Sequence, residues 1–293
     1  MLEAFFSEEP YATLRQMFNV YMVNMVSLTE GYDYGGQALG TWHGEGTRVG
    51  GNDDKCLNIA RSILGDEKMS SVVVAVAMNT DIWAGTCYMY YPSSIGADYG
   101  EGTSIAYFAI GKNDSQLAGV LHHEACGHGF AKLADEYFYA ENGRITGAEK
   151  LKYQKTFAYG WWKNVDFTNY PADVKWSKFL KDIRYEREGL GVYEGACTYY
   201  TGAFRPSDYS IMRSNTLGFN APSREAIWYR AHKLAYGENW QYDYEDFVSY
   251  DEKNRQKTTS TTMSRAYMIE AQNPPLHSPV IVPYTWEKAL GLE

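Results

Sequence analysis

Histidine is scarce in this chain: there are six in 293 residues, and His122, His123 and His128 fall within seven positions of one another. The local run is His122-His123-Glu124-Ala125-Cys126-Gly127-His128-Gly129. Neutral imidazole is a good zinc ligand, and a carboxylate beside the first ligand can take a proton from water activated by the metal. Two such histidines usually stand four apart, so that one helical face carries both. Here His123 and His128 are five apart, and on a regular α-helix that turns the rings about 140° away from each other. A single-turn π-bulge absorbs one extra residue, such bulges cluster at functional sites, and Gly127 eases the distortion. The spacing therefore predicts a bulged helix with His123 and His128 as zinc ligands, Glu124 as general base, and His122 turned off the metal face. A helix with two surface histidines and a core cysteine is the plainer reading of the same residues.

A catalytic zinc takes three protein ligands and keeps a fourth position open. Asp135 and Glu136 follow His128 by seven and eight residues, past Gly129, where the chain can turn back. Asp135 is the expected third ligand and Glu136 the alternative. Downstream, Ser210-Ile211-Met212-Arg213-Ser214 has the flavour of a methionine turn, in which the Met212 thioether packs as a soft floor under the metal. Tyr199, Tyr200 and Arg205 lie near that turn and could hold a developing oxyanion, although ordinary loop packing accounts for each singly. The His-Glu-x-x-Gly-His spacing also resembles the variant motif of dipeptidyl peptidase III.

The elements that must position these groups are partly legible. Asp53–Leu64 carries apolar residues at helical spacing, and Asn113 caps a second helix whose stripe is Leu117, Val120 and Leu121. Ser71–Met78 and Thr103–Ile110 read as buried strands, with an extended edge segment between them from Ala84. Pro10–Phe18 reads as a helix leading into a strand at Asn19–Val23. Ser223–Tyr236 reads as a helix capped by Ser223 and stopped by Gly237. Residues 141–200 read as loops with short helices, and the chain after 237 as polar and extended, ending in Pro-Pro-Leu-His-Ser-Pro-Val-Ile-Val-Pro. This order predicts an α/β (α+β) domain with a mixed sheet, a site helix and backing helices. Residues 1–240 would form the catalytic domain, and 241–293 an extension packed on it. The Thr103–Ile110 strand would template an extended substrate by strand addition.

Composition narrows the function classes. Hydrophobic residues make up 45% and charged residues 22%, which is globular usage and argues against disorder. No apolar run approaches the roughly 20 residues of a membrane span. A net charge of −9 counts against nucleic acid as a partner. The four cysteines fit neither a zinc knuckle nor a dense disulfide framework; one bridge is possible, and the sequence does not say which pair would form it. Met1-Leu2-Glu3 opens no signal peptide, as expected of a cytosolic chain or a mature form. Two rival classes stand beside an enzyme: a zinc-holding module without turnover, and a glycan-binding protein suggested by the Tyr and Trp surplus of residues 137–200.

The run Gly127-His-Gly-Phe-Ala-Lys-Leu-Ala-Asp-Glu-Tyr137 resembles the Gly-His-x-Phe-x-x-Leu-x-Asp-Glu-Tyr signature of the IgA peptidase family, metallopeptidase family 64. Arg205-Pro-Ser-Asp-Tyr-Ser-Ile-Met-Arg-Ser-Asn215 and Phe219-Asn-Ala-Pro-Ser-Arg-Glu-Ala-Ile227 are similar to its second and third blocks. The resemblance spans about residues 70–237. It implies a secreted zinc endopeptidase of zincin- or metzincin-like fold, found outside the cell, in the periplasm or at the surface, and acting on a protein or peptide. It carries over His123, His128 and Asp135 as ligands, Glu124 as base and Met212 as the turn methionine. It does not imply that IgA itself is cut.

Overall fold

Strand β5 (Ser104–Ala109) is buried along its whole length because it lies inside a four-stranded sheet of order β3-β5-β4-β9. The partners are β3 (Val73–Met78), parallel to β5, and β4 (Gly85–Tyr90), antiparallel to it; β9 (Val280–Val282) runs parallel to β4. The computed structural model describes residues 1–31, 35–93, 98–215, 218–255 and 273–292. Alternate residues divide the sheet between two cores, as the two-residue repeat of a strand requires. Cys87, Met89, Ala106 and Phe108 join one core. Ile105, Tyr107, Val76 and Met78 join the other, under helix α3 (Asp53–Leu64).

Helix α3 falls where the sequence places it. Asn52 accepts from the Lys55 amide, Asp53 and Asp54 favour the positive helix start, and Gly65 ends it. On the opposite face of the sheet, α4 (Asp114–Leu121), capped by Asn113, runs directly into a π-helix, His122–Phe130. All nine residues of that π-helix are buried. It packs across β3, β4 and β5 on one side. On the other, Cys126 and Phe130 join a third core with Tyr11, Met212, Phe219, Ile227 and Trp228. The histidine run is therefore an interior layer, between the sheet and helix α7 (Ala221–Tyr236).

Several expectations need correction. Thr103–Ile110 does form a strand, but β3 and β4 take both its edges, so it offers no edge to a substrate. The expected helix at 10–18 is a single turn, Tyr11–Leu14, followed by a 3-10 turn, Arg15–Met17. Asn19–Val23 joins no sheet and is exposed, because no strand edge lies alongside to supply ladder partners. Helix α7 starts at Ala221 with Asn220, not Ser223, as its cap. The span 141–200 contains short helices, and it also takes part in a second sheet of order β6-β8-β7: β6 (Phe138–Arg144), β7 (Tyr193–Ala196) and β8 (Thr198–Arg205). Register shifts in both pairings break the alternation that would have revealed it. Beyond 237, helices at Tyr244–Tyr250 and Trp286–Ala289 interrupt the expected extended chain, the proline-rich stretch ends in strand β9 as an extended segment does, and residues 256–272 lie outside the described residues. All four cysteines are free thiols and buried.

Candidate metal centre

The π-helix resolves the five-residue spacing. With i→i+5 hydrogen bonding, residues five apart stand over one another. The bond closing its end runs from the Ala131 amide to the Cys126 carbonyl, 2.9 Å. The two rings accordingly meet edge to face at 4.7 Å between centroids, with Nε2 of His123 and Nε2 of His128 only 3.0 Å apart. The distortion extends over nine residues, more than the single-turn bulge that the sequence suggests. Gly127 is needed at its centre, since a Cβ there would overlap the Met212 sulfur. Met212, fully buried, thus lies against the helix between the two histidines.

The chain then returns. Lys132, not Gly129, makes the turn: it adopts a left-handed φ of 54°, whereas Gly129 is still helical. This turn brings Asp135 back so that its Oδ1 lies 3.2 Å from Nε2 of both His123 and His128. Glu136 points elsewhere. Asn164 and Asn220 donate to its carboxylate at 2.8 and 3.0 Å. Burial pushes its carboxyl up to about 7 against those donors. The Asp135–Tyr137 segment is clamped from outside by the Cys197 and Thr198 amides, which donate to the Asp135 and Tyr137 carbonyls at 2.9 and 3.1 Å. Cys197 and Thr198 both sit at positive φ, 53° and 69°, a costly conformation for a branched residue such as threonine.

Backbone carbonyls fix the protonation of both rings. His123 Nδ1 donates to the Ile211 carbonyl at 3.0 Å, and His128 Nδ1 to the Leu133 carbonyl at 2.7 Å. Each neutral ring then presents a lone pair at Nε2. Burial lowers the His123 pKa despite the neighbouring carboxylate. Burial would raise that of Asp135, but His128 and His123 overcome it and hold the carboxyl well below its usual range. Two lone pairs and an anionic oxygen converging in a dry interior repel one another unless a cation lies among them. Tetrahedral zinc bonds of 2.0–2.1 Å place ligand atoms about 3.3 Å apart. The observed edges of 3.0 to 3.2 Å fit such an ion. His123, His128 and Asp135 are the one group among the described residues with this donor convergence.

Glu124 completes the arrangement. It is wholly buried, both carboxylate oxygens lack a hydrogen-bond partner, and burial raises its pKa well above the usual value. Strand β4 runs against it: a Cβ at Gly85 would lie 2.8 Å from its Oε1. A buried carboxylate without a partner is costly and uncommon in a folded protein. His122 turns away, with Nε2 3.2 Å from the Phe5 carbonyl, and burial takes its pKa down to about 4.

A family model described as IgA Peptidase M64 matches residues 1–185. The chain belongs to the IgA peptidase M64 family. The family is one of metallopeptidases, so a metal is implied, and the matched span includes the histidine run, Asp135 and Tyr137 but stops short of Met212. No curated protein matches the chain.

Other expected participants lie elsewhere. Arg205 is committed to its own hairpin, donating to the Glu194 and Gly195 carbonyls at 2.7 and 2.5 Å and pairing with Asp208. Tyr200 is exposed and packs on Phe138, while Tyr199 lies by Glu149 and Lys152. The phenol that meets a histidine ring is that of Tyr137, which stacks on His123 at 6.5 Å between centroids. It was present in the Asp-Glu-Tyr run but had no assigned role, because its approach depends on the turn at Lys132.

Proposed function

We propose that the chain is a zinc-dependent endopeptidase that hydrolyses peptide bonds of an extracellular protein substrate. Residues 1–240 would be the catalytic domain and 241–293 an extension packed on it. One observation carries the reading: Nε2 of His123, Nε2 of His128 and Oδ1 of Asp135 converge within 3.2 Å, with both Nδ1 protons already committed, beside an unpartnered Glu124. Donors of this chemistry suit zinc over magnesium or calcium, which prefer oxygen ligands throughout.

Zinc bound by these three residues would supply a Lewis acid that acidifies a water and polarises the scissile carbonyl. Glu124 takes the proton of the attacking water and returns it to the leaving amine. Its dry surroundings raise its affinity for that proton. Met212 and Gly127 keep the helix in the geometry that holds the two rings together. Among the described residues no helix is long and apolar enough to cross a membrane.

Purified protein is expected to cleave a peptide library, to lose that cleavage in o-phenanthroline, and to regain it with about one equivalent of zinc per chain. Cleavage that persists in the chelator would refute the reading. A chain that binds zinc and cuts nothing would be a metal-holding module on a peptidase scaffold.

A further inference from the structure

The four groups of the site, His123, Glu124, His128 and Asp135, are at most 2% exposed. A peptide cannot reach them as the chain stands, and the residues in the way are its own. Segment Pro274–Val282 lies along β4, the strand that borders Glu124. Trp83 Nε1 donates to the Pro274 carbonyl at 2.8 Å, and Thr47 Oγ1 to the Pro275 carbonyl at 3.1 Å. The His277 amide donates to the Gly85 carbonyl at 3.3 Å, and residues 280–282 then pair with 88–90 as β9. Across the site, the Tyr137 hydroxyl donates to the Leu276 carbonyl at 2.6 Å and meets Ser278 Oγ at 3.2 Å. Leu276 and His277 thus connect the residue stacked on His123 to the residue pressed on Glu124. The Leu276 side chain is fully buried in the core that also holds Cys87 and Ala125.

We propose that Pro274–Val282 is an intramolecular strap seated in the peptide-binding groove of this site, so that cleavage requires its displacement. This rests on the peptidase reading above. Without the strap, β4 beyond Gly85, whose amide the Thr47 carbonyl holds at 3.1 Å, would be a free edge of the sheet, offering ladder groups to an extended chain. Tyr137 would be free to grip a substrate carbonyl where it now grips that of Leu276. The Leu276 pocket would take a leucine-sized aliphatic side chain, which makes extended peptides with such a residue the substrate class. Pro274, Pro275 and Pro279 hold the strap extended before it docks, lowering the entropy lost on seating.

Two variants loosen the strap by different means. Leu276→Asp removes the buried anchor. Thr47→Val with Ser278→Ala removes hydrogen bonds while leaving the core intact, and serves if the first fails to fold by circular dichroism. The probe is a fluorescent synthetic nonapeptide of the strap, Pro-Pro-Leu-His-Ser-Pro-Val-Ile-Val. It is expected to bind the folded variants at least about tenfold more tightly than wild type, because the groove is now vacant for a larger fraction of the time. Cleavage of leucine-containing peptides at low concentration should rise by a similar factor through a lower KM at unchanged kcat, and the nonapeptide should inhibit it competitively. Equal probe binding by wild type and folded variants, or equal kcat/KM, would overturn the strap. Probe binding by the variants with no cleavage by any zinc-loaded form would overturn the peptidase reading and leave the occupied groove standing.

Discussion

Glu124→Gln is expected to lower peptide cleavage by about a thousandfold, the range for removing a general base, while zinc content and fold stay as they are. The substitution nearly preserves volume, which matters because Gly85 leaves no spare room: a Cβ there would already lie 2.8 Å from Glu124 Oε1. It removes only the capacity to accept and return a proton. No side chain hydrogen-bonds the Glu124 carboxylate, and the nearby Cys87 amide, which favours its charged form, finds an acceptor oxygen on the glutamine as well. Steady-state assay of both proteins, each with its metal measured, separates the roles. Undiminished cleavage by the glutamine variant would take the base assignment away from Glu124.

A second large effect is expected far from the histidines. Arg224, on α7, donates to both oxygens of Asp251 at 2.7 and 2.8 Å, to Glu188 at 2.8 Å and to the Phe219 carbonyl at 2.8 Å. All three charged side chains are at most 3% exposed. The neighbouring carboxylates overcome the cost of burying the guanidinium and keep it charged. Removing one member of such a network leaves buried charge uncompensated, so Arg224→Met should cost about 3–5 kcal/mol of unfolding free energy. Urea titration measures it, and a loss below about 1 kcal/mol would mean that the network is better solvated than its burial indicates. The network matters to the site because it holds the start of α7, where Asn220 both caps the helix and donates to Glu136, next to Asp135.

How much of this was legible in the sequence follows from which interactions are local. Helix α3, the Asn113 cap and strands β3 and β5 are determined by neighbours a few residues away, and they fall within a residue or two of their expected bounds. The pairing of His123 with His128 was readable as a need for a π distortion, since only that geometry brings a five-residue spacing to one face. Its length was not, because it depends on Met212 and the sheet pressing on glycines from both sides. The choice between Asp135 and Glu136 hinged on a left-handed turn at Lys132, a residue with no preference for that conformation. Tyr199, Tyr200 and Arg205 stand close in sequence to Met212, but their contacts go to Glu149 and Lys152, to Phe138, and to the Glu194 and Gly195 carbonyls. The strap was visible only as a proline-rich ending; its place on β4 is a contact between residues almost two hundred positions apart.

The central claim is that His123, His128 and Asp135 hold one metal ion, and metal content tests it most directly. Elemental analysis of purified wild type, beside His128→Ala, is expected to find about one zinc per chain in the first and close to none in the second. No zinc in the wild type, even after incubation with the ion, or equal zinc in both proteins, would contradict the account.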